Sequence, residues 1–287
     1  MITKPLFSVL VANYNNGSFL NELVDSLKAQ SFQEWEIVIV DDCSTDDSRN
    51  YLEVFSKDSR VTVVYHDKNK GAAAAFSSAA NNAASPFCGL LGADDALHPD
   101  ALEKMYSAHR MYPDASLIYS DYYICDFALN KLGRSGWVKA IPDGESIINQ
   151  RTVSNFVTFK KESYDKTEGF DSELRRAVDQ DLYFKLEEVG KVVYIDEPLY
   201  LYRSNPNGIS QLGSSSKALL WEYIAVLKAV KRRSETKHIF RSLFTFKQTL
   251  KQIYYFLAGY MLNWNSLNSD RGRLGLSFIS ILKKMLF

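Results

Sequence analysis

The sequence predicts an α/β protein built on a mostly parallel sheet, and three observations support this fold class. Over the first 120 residues or so, short apolar runs alternate with amphipathic stretches of helical period. The apolar runs are rich in β-branched, aromatic and aliphatic residues, which is typical of strands buried on both faces. Two of these runs end in paired carboxylates, Asp41-Asp42 and Asp94-Asp95. Strands that alternate with helices in this order indicate a doubly wound sheet.

The individual elements follow from these patterns in chain order. We predict strands at residues 6–12, 35–40, 61–65, 87–91 and 115–120, separated by helices at 19–30, 47–55, 71–84 and 99–112. In the first helix, for example, Leu20, Leu23 and Leu27 share one face. From about residue 121 to residue 160, glycines and prolines predict loops. A helix at 172–190 and a short strand at 192–195 follow.

The polar stretch at residues 204–216 predicts a loop and a domain boundary, because it contains Pro206, Gly208, Gly213 and several serines. We therefore expect one domain at residues 1–212 and a basic, amphipathic helical region at 213–287, with helices at 217–231, 237–263 and 274–287.

Charge is distributed unevenly along the chain although the formal net charge is zero. Residues 217–287 contain thirteen Lys and Arg against three acidic residues, a net charge of +10, and the other 216 residues carry twenty-one basic and thirty-one acidic groups, a net charge of −10. An anionic membrane surface is one expected partner of the basic region. The alternatives are packing of its helices on the first domain or a homo-oligomer contact. Its longest uncharged apolar stretch, 253–262, is too short to span a bilayer.

Composition limits the compartment and the class of protein. Hydrophobic residues make up 46% of the chain and charged residues 24%, as in ordinary globular proteins. Cys43, Cys88 and Cys125 are odd in number and far apart, which argues for a reducing compartment and against a disulfide framework or a zinc site. The first strand begins almost at once, so we expect no signal peptide. These features predict a cytoplasmic protein, free or at the inner face of the membrane, with no nucleic-acid partner.

The two acid pairs have an ordinary structural interpretation and a functional one. Either pair alone is more often a turn or a helix cap, and Ser44, Thr45 and Asp46 suit such a cap. In open α/β sheets, however, ligands bind beyond the carboxyl ends of the strands. Both pairs at one such edge would supply hard oxygen ligands for a divalent metal with a phosphorylated substrate, or for ribose hydroxyls.

Five motifs in order resemble glycosyltransferase family 2, whose members are inverting enzymes of the GT-A fold that use nucleotide-diphosphate sugars. The first two are SVLVANYN at residues 8–15 and WEIVIVDDCSTDDS at residues 35–48, and the likeness extends over about residues 6–210. The resemblance implies a GT-A domain with a mixed, mostly parallel sheet and a C-terminal helical extension. It also implies Mn²⁺ or Mg²⁺ and a nucleotide-sugar donor, with a UDP-linked sugar as the first expectation.

The first two motifs imply the nucleotide contacts. Where the family has a Pro-Thr-Tyr-Asn-like turn that holds the base, this chain has Ala12, Asn13, Tyr14 and Asn15, so only the last two match. Tyr14 is expected to stack on the base, with covering of the sheet edge as the alternative. Asp41 matches the family's base-reading carboxylate, which can accept a ring N–H. The next residue, Asp42, is interpreted as a turn or cap residue.

The third motif, Asn69-Lys70-Gly71, opens a helix near the expected nucleotide. Gly71 permits a close approach, and a helix N-terminus favours negative charge. The Arg and Asn that family members often have further along this helix are Phe76 and Ser77 here, so a packing role for the helix is the stronger reading.

The fourth motif, at residues 92–95, resembles the family's acidic metal-binding element. Its first acid is Gly92 in this chain. By resemblance, Asp95 is the expected ligand of the divalent metal, and Asp94 is expected to approach the ribose or the metal.

The fifth motif combines Gly169-Phe170-Asp171 with AVDQDL at residues 177–182, and it resembles the segment that carries the family's catalytic base. That position is Asp179, and the Glu that usually precedes it is Val178. Asp181 is the alternative base, and a capping role for both acids is also open. Downstream, Arg203 is expected to neutralise the departing phosphate, although the His common after that Arg is Asn205 here.

These motifs together predict inverting transfer of a sugar from a nucleotide-diphosphate donor to a glycan or lipid-linked acceptor, in the synthesis of a cell-surface polysaccharide or glycoconjugate. One alternative is a catalytically degenerate protein that binds a nucleotide sugar or a glycan, since Gly92, Phe76 and Val178 depart from the pattern. A nucleotidyltransferase is less favoured, because residues 12–19 contain a single glycine, Gly17, and no Lys or Arg.

Overall fold

The computed structural model describes residues 4–206, Gly208 and residues 215–235, and the side chains of residues 215–219 and 234–235 lie outside this description. The chain divides into two compact units, Met1–Glu222 and Tyr223–Phe287. The predicted helices at 237–263 and 274–287 fall outside the described residues, so they stay predictions, as do the domain limits at 212 and 213.

The first unit is organised around a sheet of nine strands within the described residues. The strands are β1 (Phe7–Asn13), β2 (Trp35–Asp41), β3 (Val61–Tyr65), β4 (Phe87–Gly92), β5 (Ala96–Leu97), β6 (Ala115–Cys125), β7 (Lys131–Arg134), β8 (Val157–Lys160) and β9 (Lys191–Arg203). The helices are α1 (Leu20–Lys28), α2 (Ser48–Phe55), α3 (Ala72–Asn82), α4 (Ala101–Met111), α5 (Ile147–Gln150), α6 (Lys161–Tyr164), α7 (Val178–Glu187) and α8 (Ser215–Glu235). A 3-10 turn at Gly17–Phe19 precedes α1.

The sheet is mixed and mostly parallel, as the sequence predicts. Its order is β3-β2-β1-β4-β8-β6-β9-β5, with β7 added on β6. The strands β3, β2, β1 and β4 run parallel to one another, whereas β8 is antiparallel to both of its neighbours, and β6 pairs parallel with β9. The register pairs Asn13 with Asp41 and Ala12 with Gly92. The ends of three strands therefore meet at one edge.

The central strands are buried because helices cover them. Most residues of β1 and β2 are fully enclosed, as the apolar runs predict. Helix α3 lies against β1, β2 and β3. Its buried residues are all alanines, Ala73, Ala75, Ala79 and Ala80, and small side chains let a helix approach a sheet closely.

The structure differs from the predicted elements in several places, the first being the two-residue strand β5, which was not predicted. The segment predicted as loops, residues 121–160, contains the end of β6 together with β7, α5 and β8. The short strand predicted at 192–195 is the first part of β9, which continues to Arg203. The helix predicted at 172–190 begins at Val178, because Ala177 adopts a left-handed conformation (φ 54°) that helices do not continue through.

The helix predicted at 217–231 lies within α8. Among the described residues, none of the helices combines the length and the apolarity needed to cross a membrane.

Candidate active site

The end of the site where the nucleotide is expected to bind is formed at the ends of β1 and β2. Asp41, the last residue of β2, is only 4% exposed. Its Oδ1 accepts hydrogen bonds from Asn13 Nδ2 (2.8 Å) and Ser44 Oγ (2.5 Å), and its Oδ2 accepts one from Ser44 N (3.1 Å). The carboxylate is therefore held in one orientation before any ligand binds.

The turn after β1 is tied to the same group. Asn15 has a left-handed backbone (φ 57°); its N–H donates to Ser44 Oγ (2.9 Å), and its Oδ1 accepts from Thr45 N (2.7 Å). Ala12 is half-buried in the register position opposite Gly92. Between these fixed residues Tyr14 is 45% exposed. The structure thus brings Ala12, Tyr14, Asn15 and Asp41 together, as the sequence predicts, and leaves one aromatic ring open to solvent.

Asp42 joins a second loop to this edge. Its Oδ1 lies 2.6 Å from His66 Nδ1 and accepts from Lys70 N (2.9 Å), and its Oδ2 accepts from Gly71 N (2.7 Å). The other ring nitrogen of His66 lies 2.9 Å from Ser78 Oγ on α3. Gly71 has φ +88°, and a Cβ added there would meet nothing within 4 Å. The predicted turn role of Asp42 thus extends to fixing the start of α3.

Sequence reasoning missed His66, which links Asp42 to α3. Its only signal was its position directly after a strand and beside the Asn-Lys-Gly motif. Because a single histidine in a loop is common, that position alone could not identify a contact to an acid 24 residues earlier.

Phe76 stands where the family often has an arginine. Its ring stacks on Phe170 (centroids 5.4 Å apart, 21° between planes), and Phe170 packs in turn against Tyr164 (5.7 Å). Gly169, next to Phe170, has φ +66°, and a Cβ there would lie 2.7 Å from the Tyr164 hydroxyl. Position 76 is therefore a packing position.

The acidic turn after β4 places its two carboxyl groups in different environments. Asp95 is 4% exposed; its Oδ1 accepts from Arg203 N (2.8 Å) and its Oδ2 from the Tyr200 hydroxyl (2.5 Å). Burial, together with the charge of Asp94, raises the pKa of Asp95 to about 7, despite these two hydrogen bonds. Asp94 is half-buried, and its Oδ2 accepts from Asn205 Nδ2 (2.9 Å).

Gly92 leaves the space that this arrangement needs. A Cβ at this position would lie 2.6 Å from Asp95 Oδ2 and 3.1 Å from the Tyr200 hydroxyl. The Gly92 N–H also donates to that hydroxyl (3.0 Å). A side chain at position 92 is therefore incompatible with the Tyr200–Asp95 contact.

Arg203 contacts the acidic turn directly. Its Nε donates to the Asp94 carbonyl oxygen (2.6 Å), one terminal nitrogen donates to the Phe127 carbonyl oxygen, and the other pairs with Glu22. Its guanidinium also lies over the Phe19 ring, 4.8 Å from the centroid. In this arrangement Arg203 stabilises the turn, and its contact with a departing phosphate stays a prediction.

The donor set fits a divalent metal bound by few protein ligands. The part of the chain that the structure describes contains no group of three or more His, Cys, Asp or Glu side chains placed to hold a metal ion. A hard cation such as Mg²⁺ can instead use one or two carboxylates and take its other oxygens from a substrate diphosphate and water. Asp94 suits that role. Asp95, predicted as the principal ligand, already accepts one hydrogen bond at each carboxylate oxygen, and its role as a metal ligand stays a prediction.

Asp179 lies in the first turn of α7, where the carboxyl is surrounded by protein but the residue keeps intermediate exposure to solvent. Burial raises its pKa, although the backbone N–H groups of Gln180 and of Asp179 itself act in the opposite direction. One turn further on, Tyr183 is buried, and its pKa is raised by burial and then by the charge of Asp179. A carboxylate with a raised pKa is a stronger base than an exposed one.

Asp181, the alternative base, is 0% exposed and forms an ion pair with Lys185 (2.7 Å). Lys185 also donates to the Gly169 carbonyl oxygen (2.8 Å). The Asp181–Lys185 pair therefore ties α7 to the glycine turn, which is a structural role.

Comparison with known proteins agrees with this geometry. The family described as glycosyl transferase family 2 matches residues 8–165. The chondroitin synthase of Escherichia coli is 30% identical over 197 residues, which cover 68% of this chain and 28% of that protein. The chain therefore spans less than a third of this relative.

Two solved structures have a similar fold. One is S. aureus TarS 1–349 in complex with UDP-GlcNAc, with a TM-score of 0.73 and 19% identity over 98% of this chain and 80% of that one. The other is the mannosyltransferase PcManGT from Pyrobaculum calidifontis in complex with GDP-Man and Mn²⁺, with a TM-score of 0.61 and 16% identity over 98% of this chain and 81% of that one. At these identities the likeness shows the GT-A fold.

Proposed function

Because the chain belongs to glycosyltransferase family 2, we propose that it transfers a sugar from a nucleotide-diphosphate donor to a glycan or lipid-linked acceptor, with inversion at the anomeric carbon. The observation that carries the proposal is the meeting of three strand ends: the register aligns Asn13 with Asp41 and Ala12 with Gly92, directly before the acidic turn. This edge of an open α/β sheet is where ligands bind.

The nucleotide base lies on Tyr14 and beside Asp41 in this proposal. An exposed aromatic ring can stack on any base, which is worth about 1–3 kcal/mol where it has been measured. The fixed Asp41 carboxylate can accept the ring N–H of uracil. The TarS complex with UDP-GlcNAc is consistent with a UDP-linked donor, although a likeness of 19% identity does not select the base.

A divalent cation, Mn²⁺ or Mg²⁺, is the proposed cofactor. Asp94 is its first proposed protein ligand, and the more deeply buried Asp95 is the second candidate. When bound, such an ion offsets the charge that grows on the departing diphosphate. Asp95, Tyr200 and Arg203 hold the turn that presents Asp94. The presence of Mn²⁺ in the PcManGT complex supports the choice of a divalent cation by analogy.

Asp179 is the proposed general base. As the acceptor oxygen bonds to the anomeric carbon, the bond from that carbon to the diphosphate oxygen breaks, and the acceptor hydroxyl proton passes to the Asp179 carboxylate. The raised pKa of this carboxyl suits the task. No covalent intermediate with the protein is needed for inversion.

Polysaccharide synthesis is the proposed setting, on the strength of the similarity to chondroitin synthase. Departures from the family pattern would favour a non-catalytic binding protein if they left holes in the site. Here Phe76 stacks on Phe170, and Gly92 makes room for Tyr200 and Asp95. These two departures are compensated by packing, and the third, Val178, is itself buried, which together favours an active enzyme.

The test is an assay of nucleoside diphosphate release and sugar transfer with a panel of UDP- and GDP-sugars, oligosaccharide acceptors and either Mn²⁺ or Mg²⁺. Asp179→Asn should lower kcat by roughly 10²–10⁴-fold and leave the affinity for the nucleotide unchanged, because the base acts on the acceptor. If the parent protein binds a nucleotide sugar but releases no nucleoside diphosphate with any acceptor, the transferase proposal is wrong.

A further inference from the structure

The indole of Trp137 is exposed and at the same time rigidly held. The residue is 44% exposed. Its Nε1–H donates to the Tyr122 hydroxyl (3.0 Å), and its ring meets the Tyr122 ring edge-on, with centroids 6.3 Å apart and 77° between the planes. The indole is therefore fixed in orientation although the residue is exposed to solvent.

A buried carboxylate fixes the chain that carries this indole. Asp121 is buried; its Oδ2 accepts from Arg134 Nε (2.7 Å) and its Oδ1 from Ser135 Oγ (2.5 Å). Ser135 N donates to the Tyr122 carbonyl oxygen (3.0 Å), and Val138 N donates to Ser135 Oγ (3.3 Å). The residues on both sides of Trp137 are thus anchored to the end of β6.

The contact of Trp137 with Tyr122 relates the indole to the acidic turn. Tyr122 on β6 is paired in register with Tyr200 on β9, and Tyr200 is the residue that donates to Asp95. In the strand order, β1 and β2, whose ends form the expected nucleotide-binding end of the site, lie on one side of β4, and β6 lies on the other. The acidic turn at the end of β4 therefore separates Tyr14 and Asp41 from Trp137.

We propose that Trp137 is a stacking platform for a sugar ring of the acceptor glycan, an inference that rests on the proposed glycosyltransferase function. A pyranose presents a face of C–H groups that packs on an aromatic ring, and a ring that is already fixed loses little conformational entropy on binding. The occupant is a glycan and not the nucleotide, because the aromatic ring and carboxylate suited to the base are on the opposite side of β4.

The experiment measures glycan binding to the full chain without donor, on an array of defined oligosaccharides that includes chondroitin and hyaluronan hexasaccharides. Trp137→Ala should lower the affinity for the glycan that the parent binds by about tenfold or more, as expected for loss of one stacking contact. UDP affinity, measured separately with Mn²⁺, should not change. Tyr112→Ala, which removes an exposed aromatic ring after α4, is the matched control and should bind the glycan as the parent does.

A second variant keeps the test decisive if Trp137→Ala does not fold. Tyr122→Phe removes the hydroxyl that fixes the indole and keeps both rings. It should therefore lower the affinity for the same glycan and retain the far-UV circular dichroism of the parent. Equal glycan affinity in the folded variants and the parent overturns the proposal, and so does a parent that retains no glycan. If the parent protein binds the glycan but releases no nucleoside diphosphate from any donor, the proposed transferase function is refuted instead.

Discussion

At the scale of single residues, two acids only two positions apart on α7 differ in what surrounds them. Asp179 has a raised pKa from burial, whereas Asp181 has a cationic partner within 2.7 Å. The sequence motif predicted Asp179 as the base but left Asp181 open, because spacing along a helix does not reveal whether a lysine four residues later is buried with the acid. The ion pair with Lys185 supplies that missing information.

Asp181→Asn should reduce the stability of the fold, because it leaves the buried Lys185 ammonium without a counter-charge. The expected loss is about 3–5 kcal/mol in the free energy of unfolding, measured by urea denaturation. A double variant with Lys185→Met should recover part of this loss, since no buried charge remains. If Asp181→Asn is as stable as the parent but has lost turnover, the role of base belongs to Asp181.

Gly92 offers a second test at this scale. Gly92→Ala forces a Cβ against Asp95 Oδ2 and the Tyr200 hydroxyl, so we expect a loss of about 1–3 kcal/mol in stability and weaker metal-dependent UDP binding. Thermal unfolding and a UDP titration with Mn²⁺ check both effects. Gly133→Ala on β7 is the control, because its added Cβ meets nothing within 4 Å. Equal stability of the two variants would contradict the packing explanation for the missing acid.

At the scale of elements, most strands and helices of the first 120 residues could be predicted, because their apolar periodicity is regular. Strand β9 was predicted too short because Pro198 reads as a strand breaker. In the structure Pro198 pairs with Asp121 at an irregular point of the β6–β9 ladder, where a missing N–H is tolerated. Strand β8 was missed because its four residues lie inside a segment marked by glycines and prolines.

Helix α4 carries a histidine that makes stability depend on pH. His109 is buried against Phe87, and its Nε2 lies 3.0 Å from Thr158 Oγ1. Because the Thr158 hydroxyl already donates to the Ile118 carbonyl oxygen, we assign His109 Nε2 as the donor to Thr158 Oγ1. Burial lowers its pKa from 6.5 to about 3, and the charge of Lys160 acts in the same direction.

This pKa gives a prediction with a definite sign. Below pH 6.5 the unfolded chain binds a proton at His109 that the folded protein does not, so stability falls as the pH falls from about 6.5 toward 3. At pH 5 the loss from this group is about 2 kcal/mol. Urea unfolding at pH 7 and pH 5 should show a smaller difference for His109→Gln, which keeps a donor but cannot titrate. An unchanged difference would show that His109 is not the responsible group.

At the scale of the whole molecule, the basic C-terminal region remains a prediction from the sequence. Residues 236–287 lie outside the described residues and contain eight Lys and Arg against one Asp. We propose that they attach the protein to an anionic membrane surface, which would bring the site to a lipid-linked acceptor. Packing on the first unit and assembly between copies are the competing outcomes.

Sedimentation with vesicles that contain one quarter phosphatidylglycerol tests the membrane proposal. The full chain should pellet with the vesicles at low salt and return to the supernatant at 1 M salt, because screening shortens the range of charge attraction to about 3 Å. A chain ending at residue 235, which keeps all of α8, should stay in the supernatant throughout. Equal recovery of both chains in the supernatant at low salt would leave the region with a packing or assembly role.

The contacts of Asp42 have a consequence for how the rim of the site opens. One carboxylate holds a histidine side chain and two successive backbone amides, so β2, the loop at residues 66–71 and the start of α3 are joined through Asp42. Breaking any one of these bonds leaves the other two in place, and the loop does not fray from one end. We therefore expect local unfolding of this rim to be cooperative, with the loop at residues 66–71 and the start of α3 opening together.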